Sequence, residues 1–210
     1  ARVTGVQTCA LPILNSYKAV FLGEGRVGKT SIGLKWSRNE FDPQRKSTVQ
    51  AGLYTKKVET SMGIIELNLW DTAGQEEYHA VAPIYYKGAQ AALLVYSVVD
   101  QKSFDRIIQW HKELTQICTD VKIVVVANKI DMVKERVIPT SKGVEFAQSI
   151  GCNHFEVSAK TGEGIDMLFR YLTETLVKTV KPNSKQTPRG RKGFQVVDAE
   201  EKPEEEKGGC

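Results

Sequence analysis

A short apolar run, Tyr17–Leu22, passes directly into Gly23-Glu24-Gly25-Arg26-Val27-Gly28-Lys29-Thr30. No other stretch of the 210 residues constrains the fold as strongly. The spacing is G-x-x-x-x-G-K-S/T, a glycine-rich loop whose backbone N–H groups close around phosphate oxygens. Residues Lys29–Arg38 read as a helix, which offers its positive end to the same anion. A glycine-rich turn with no ligand is the bland alternative. The position between a strand and a helix favours phosphate binding over it.

The rest of the middle region repeats this alternation. Leu53–Thr60 and Ile64–Trp70 flank Ser61-Met62-Gly63, which reads as a hairpin turn. Ala91–Val98 and Val121–Ala127 are continuous apolar runs, as in strands covered on both faces. Phe104, Ile107, Ile108, His111, Leu114 and Cys118 recur at helical spacing between them. Thr140–Ile150 reads as a helix, His154–Val157 as a short strand, and Ile165 to Val180 as a closing amphipathic helix. The fold class expected is α/β: a doubly wound, mostly parallel six-stranded sheet with one antiparallel edge strand and helices on both faces. Ligands of such sheets bind beyond the carboxyl ends of the strands, here just after residues 22, 70, 127 and 157.

The ends of the chain differ. Residues 1–16 lack either periodicity and read as a disordered or non-native leader. Residues 17–180 read as one folded, nucleotide-binding domain. Residues 181–210 run from basic (Lys181, Lys185, Arg189, Arg191, Lys192) to acidic (Asp198 to Glu206) and read as a disordered tether. The formal charge of +4 is too slight to argue for nucleic acid. The longest nearly unbroken apolar run, Ala91–Val99, is about half the ~20 residues a membrane span needs. The four scattered cysteines fit neither a disulfide framework nor a zinc site.

Four loops carry chemistry. In the first, the backbone of Gly25, Arg26, Val27 and Gly28, continuing through Lys29, Thr30 and Ser31, would bind phosphates. Lys29 would reach the β- and γ-phosphates, and the Thr30 hydroxyl would ligate Mg²⁺. In the second, Asp71-Thr72-Ala73-Gly74-Gln75, the aspartate would hold the metal shell. The Gly74 N–H would meet a γ-phosphate, and Gln75 has both the donor and the acceptor needed to orient a water. In the third, Asn128-Lys129-Ile130-Asp131, one carboxylate would accept the paired N1–H and N2 amine of guanine, a donor pair adenine lacks. The stem of Lys129 would cover the base. In the fourth, Ser158-Ala159-Lys160, the Ala159 N–H would meet guanine O6. The last three are weak patterns singly. In order, each at a strand's carboxyl end, they are not.

Together the four motifs resemble the Ras superfamily of small GTPases. The stretches LWDTAGQE and PIYYKGAQAALLVYSVVD look like its Rab family, nearest the early-endocytic branch. The resemblance covers about Tyr17 to Val180. It implies a switch: GTP with Mg²⁺ holds two loops, and hydrolysis to GDP and phosphate releases them. It further implies that Thr48, 18 residues after Thr30, joins the metal site and closes over the γ-phosphate. It implies that Phe41 flanks the guanine, that Gln75 positions the attacking water, and that Lys29 stabilises charge. Gly25 and Gln75 are both intact, so hydrolysis is expected. Implied partners are an exchange factor, an activating protein, a GDP-dissociation inhibitor, an escort protein and effectors. The effectors would read the two loops and a Leu53/Trp70/Tyr85 face. The protein is expected to be a cytosolic monomer, cycling onto endosomal or other vesicle membranes and binding no nucleic acid.

The chain also departs from that pattern. Leu53 stands where such effector faces usually carry phenylalanine, and Ser97 where aspartate is usual. The tail stops at Gly208-Gly209-Cys210 with one cysteine instead of two, and reads as cut short. A prenyl group in the Cys210 region would anchor it, and a single chain alone binds membranes marginally. The ~30 tail residues would span on the order of 30 Å as a flexible coil. Arg45, three residues before Thr48, sits at the offset of a built-in arginine finger, though a solvated charge is the favoured reading. His111 reads as a half-buried core histidine, His79 as a loop residue, and Trp36 and Trp110 as packing residues. Two competing functions are a P-loop kinase, which would need a lid insertion not seen here, and a GTP-binding adaptor with little hydrolysis.

Overall fold

In a computed structural model, which describes residues 15–44, 51–71, 85–182 and 195–198, the apolar runs become strands of one sheet. In chain order the elements are β1 (Asn15–Leu22), α1 (Lys29–Arg38), β2 (Gly52–Thr60), β3 (Gly63–Asp71) and β4 (Ala91–Ser97). There follow α2 (Gln101–Ile117), β5 (Lys122–Asn128), α3 (Thr140–Ser149), β6 (Asn153–Val157), α4 (Ile165–Thr179) and a short β7 (Gln195–Asp198). The six strands expected from the sequence are all present, and their spatial order is β6-β5-β4-β1-β3-β2. Neighbours run parallel except β2, which pairs antiparallel with β3 from Gly52↔Asp71 to Thr60↔Gly63.

This topology positions the site. β1 has β3 on one side and β4 on the other, so the strand order reverses there. The loop after β1 therefore opens at the crevice where helices depart to opposite faces. One core lies under α1 and α4, where Ile32, Trp36, Leu168, Phe169 and Leu172 meet Phe21, Leu67 and Leu93. The other lies under α2 and α3, where Ile107, Trp110, Leu114 and Ala147 meet Val20, Leu94 and Val125. All seven residues of β4 are buried, as its unbroken apolar sequence requires. Trp36 stacks on Phe169 with ring centroids 4.3 Å apart, worth ~0.5–1.5 kcal/mol beyond burial. Trp110 is likewise buried, and His111 is half-buried and meets the Phe146 ring edge-on.

Local signals set the element ends. Asp100 caps α2 by accepting the Ser103 N–H at 3.3 Å. Asn39, in left-handed conformation, ends α1 after the basic Lys35 and Arg38. The hairpin tip between β2 and β3 is tied to α4: Glu174 accepts the Ser61 N–H at 2.7 Å and the Ser61 hydroxyl at 2.6 Å.

Three expectations need correction. Asn15 and Ser16, assigned to the leader, begin β1 and pair with Ile65 and Glu66. Their polar side chains hid them from an apolar pattern, yet Ser16 Oγ accepts a hydrogen bond from Asn68 at 2.8 Å. Residues 195–198, assigned to a structureless tether, form β7, parallel to β2 from Gly52↔Gln195 to Thr55↔Asp198. β7 supplies backbone partners to an edge that would otherwise be open, so β2 is the penultimate strand. Finally, Leu53, assigned to a partner-reading face, is only 2% exposed. It lies in register with Trp70 on one side and Val196 on the other.

Candidate functional site

The loop after β1 folds closely because it is built on glycine. A Cβ on Gly23 (φ +142°) would strike the Val95 carbonyl, and one on Gly28 (φ +98°) would strike the Asn128 amide. Both conformations also lie in the region that favours glycine. Arg26, at φ 64°, bends the loop between them. Lys29, at the start of α1, is buried, and its Nζ donates to the Gly23 carbonyl at 2.7 Å and the Glu24 carbonyl at 2.8 Å. The side chain thus folds back along the loop with its ammonium at the loop's mouth. Burial lowers its pKa to about 8, partly opposed by the carboxylates of Asp71 and Glu24.

Beside it, the Thr30 hydroxyl donates to Asp71 Oδ2 at 2.6 Å. Asp71 ends β3 and is almost wholly buried. A hydroxyl and a carboxylate meeting at the edge of a phosphate loop are hard oxygen donors. They fit Mg²⁺, which takes one or two protein oxygens and completes its shell with water and substrate phosphate.

Asn128, at the end of β5, joins the phosphate loop to the loop after β6. Its Nδ2 donates to the Val27 carbonyl at 2.8 Å, and its Oδ1 accepts the Ala159 N–H at 3.1 Å. The Ala159 amide, expected to meet guanine O6, is thus already partnered, and a base oxygen would share it. Asp131 accepts from the Ser158 hydroxyl at 2.6 Å, and Ser158 Oγ in turn accepts the Thr161 N–H at 3.1 Å. The Asp131 carboxylate is held in place with a second oxygen available for a ligand. Lys129 stands in left-handed conformation (φ 69°). Burial lowers its pKa, and the carboxylates of Asp100 and Asp131 pull it back up.

Of the sequence-predicted residues, Lys29, Thr30 and Asp71 come together at one end of the crevice, and Asn128, Lys129, Asp131, Ser158 and Ala159 at the other. Gly25, Arg26, Val27 and Gly28 lie in the loop, with Ser31 in the first turn of α1 and Lys160 beside Ala159. Phe41 is exposed, at 36%, beyond the end of α1. Thr48, Gly74, Gln75, Arg45 and His79 lie outside the described residues. Sequence reasoning missed the pairing of Glu24 with Arg106, 82 residues away, where Arg106 Nε donates to Glu24 Oε1 at 3.0 Å. No local pattern connects the two.

Comparison with known proteins agrees with this geometry. Residues 18–178 match the Ras family model. The chain belongs to the Ras family. Rab-21 of Rattus norvegicus is 38% identical over 203 residues, covering 93% of this chain and 91% of the relative. Rab-21 of Dictyostelium discoideum is 43% identical over 163 residues, covering 77% of each. Rab-5A of the same organism is 38% identical over 164 residues, covering 78% of this chain and 82% of the relative. The chain is thus a small GTPase of the Rab type. Among its described residues, no helix is long and apolar enough to cross a membrane.

Proposed function

We propose that this GTPase switches vesicle traffic at endosomal membranes, and that the four loops above hold its nucleotide. The observation that carries the reading is the continuous hydrogen-bonded set from the phosphate loop through Asn128 to Ala159, with Ser158 and Asp131 beside it. It makes one crevice of motifs spread over more than a hundred residues.

In this reading the amides of Gly25–Thr30 and Ser31 bind the α- and β-phosphates. The Lys29 ammonium, mostly protonated at neutral pH with a pKa of about 8, binds the β- and γ-phosphates. Thr30 and Asp71, joined by Thr48, would hold Mg²⁺, which when bound would neutralise charge on the terminal phosphates. Gln75 orients the water; the water oxygen bonds to the γ-phosphorus as the bond to the β-phosphate oxygen breaks, its proton passes to the released phosphate, and GDP is left. The Gly74 N–H and Thr48 hydroxyl lose their partner with the γ-phosphate, and the two loops relax. Asp131 accepts from the guanine edge, Ala159 and Lys160 lie at its O6 side, and Lys129 and Phe41 flank its faces.

The partners are an exchange factor, an activating protein, a GDP-dissociation inhibitor, an escort protein and effectors. Since Leu53 is buried, the apolar surface offered to effectors reduces to Trp70 and Tyr85, whose rings lie 6.2 Å apart. A prenyl group near Cys210 would supply the membrane anchor. The testing experiment is competition among GTP, GDP and ATP on wild type and Asp131→Asn. Wild type should prefer guanine strongly, and Asp131→Asn should lose that preference by at least ~10²-fold. Unchanged selectivity in the variant would overturn the base assignment.

A further inference from the structure

A carboxylate in a loop that must hold a triphosphate is out of place electrostatically. Glu24 is such a group: it lies between Gly23 and Gly25, its residue is buried, and its side chain is only 10% exposed. Its own carbonyl anchors Lys29 Nζ, and its carboxylate lies near enough to act on the Lys29 ammonium. Left alone, it would compete with phosphate for that cation.

The second turn of α2 supplies the answer. Arg106 Nε meets Glu24 Oε1 at 3.0 Å, while Arg106 Nη1 donates to Gln109 Oε1 at 3.0 Å on the next turn, which fixes the guanidinium. The Arg106 side chain is 28% exposed, so the pair lies between a surface bridge of little worth and a fully desolvated one. The same helix begins at Asp100, whose carboxylate acts on Lys129 in the base loop. One helix end therefore bonds the phosphate loop through Arg106 and acts electrostatically on the base loop through Asp100.

We propose that Arg106 is a positioning residue for the phosphate loop: by engaging the Glu24 carboxylate it leaves the Lys29 ammonium to the phosphates and slows release of bound nucleotide. This inference rests on the nucleotide reading above. Removing Arg106 leaves a buried negative charge beside an anionic ligand, and the penalty is that of the orphaned carboxylate rather than of a lost contact. It follows that removing Glu24 as well should cancel most of the effect.

The experiment measures release of fluorescently labelled GDP from the full chain into excess unlabelled GDP. It compares wild type, Arg106→Gln, Arg106→Lys, Glu24→Gln and the Glu24→Gln/Arg106→Gln double variant. Arg106→Gln should release about tenfold faster, Glu24→Gln within about threefold of wild type, and the double variant at the Glu24→Gln rate. Guanine-over-adenine selectivity should be equal in all of them. Arg106→Lys, which keeps the charge, should fall between wild type and Arg106→Gln, and carries the test if the glutamine variant does not fold. An Arg106→Gln rate within twofold of wild type, or a double variant as fast as Arg106→Gln, overturns the proposal. Wild type that retains no GDP sinks the parent reading and this one together. Retention by wild type with equal release from every variant sinks only this one.

Discussion

The crevice end of the sheet and its outer edge are held by different means. At the crevice, side chains reach across to distant loops: Asn128 bonds the Val27 carbonyl and the Ala159 N–H, while Ser158 bonds Asp131, Thr30 bonds Asp71 and Arg106 bonds Glu24 side chain to side chain. At the outer edge, β7 is held to β2 by a four-residue backbone ladder, from Gly52↔Gln195 to Thr55↔Asp198. The first arrangement fixes geometry, since each bond limits the others. The second closes an edge through main-chain N–H and C=O groups, which every residue but proline carries in full. A rigid site and a replaceable border are what a switch needs.

The largest effect should come from cutting the crevice at its centre. Asn128→Ala removes the bonds to both the phosphate and base loops, and nucleotide affinity should fall by at least ~10²-fold in a calorimetric titration. A loss under tenfold would mean that the loops hold their places without it. Gly28→Ala attacks the same junction sterically, because its Cβ meets the Asn128 amide in a left-handed conformation. It should lower the melting temperature of the nucleotide-free protein, by ~2 kcal/mol in stability.

Protonation gives a subtler contrast. Burial brings Lys29 from 10.5 to about 8. Between those values the unfolded chain holds the extra proton, so the stability of the nucleotide-free protein should rise with pH over that window. Nucleotide binding needs the ammonium and should weaken as pH rises through about 8. Thermal melts without ligand and titrations with GDP, both at pH 7 and pH 9, should move in opposite directions. Parallel movement would break the assignment.

Ser158→Ala should cost roughly tenfold in guanine affinity, at the low end of one hydrogen bond to a charged group, with phosphate-end contacts unchanged. The smallest effect belongs to the edge. A Val196→Pro/Val197→Pro variant removes donors from β7, and the amides of residues 52–55 should exchange a few-fold faster while those of β1 do not change. Dependence of wild-type protection on protein concentration would reveal that a second copy, not the same chain, pairs with β2.

The same contrast explains what could be read in advance. Runs such as Ala91–Val98, and the four loop motifs at strand ends, show themselves within ten residues. They gave the six strands, the doubly wound order and the crevice. What stayed hidden depends on distance. Asn128 bonds Val27 across 101 residues and Arg106 bonds Glu24 across 82, with no spacing to betray either. Gln195–Asp198 is too short and too polar at its ends to stand out from a charged tail. The resemblance puts Leu53 on a partner-reading face, and nothing in the neighbouring residues shows that the folded chain leaves it only 2% exposed.

The twin bonds of Asn128 have a consequence for how a guest leaves. A single carboxamide clasps the cradle of the phosphates with one atom and the wall of the base with another. Prising open either side tugs the other through a few ångströms of covalent structure. Loosening one flank therefore strains the bond at the other.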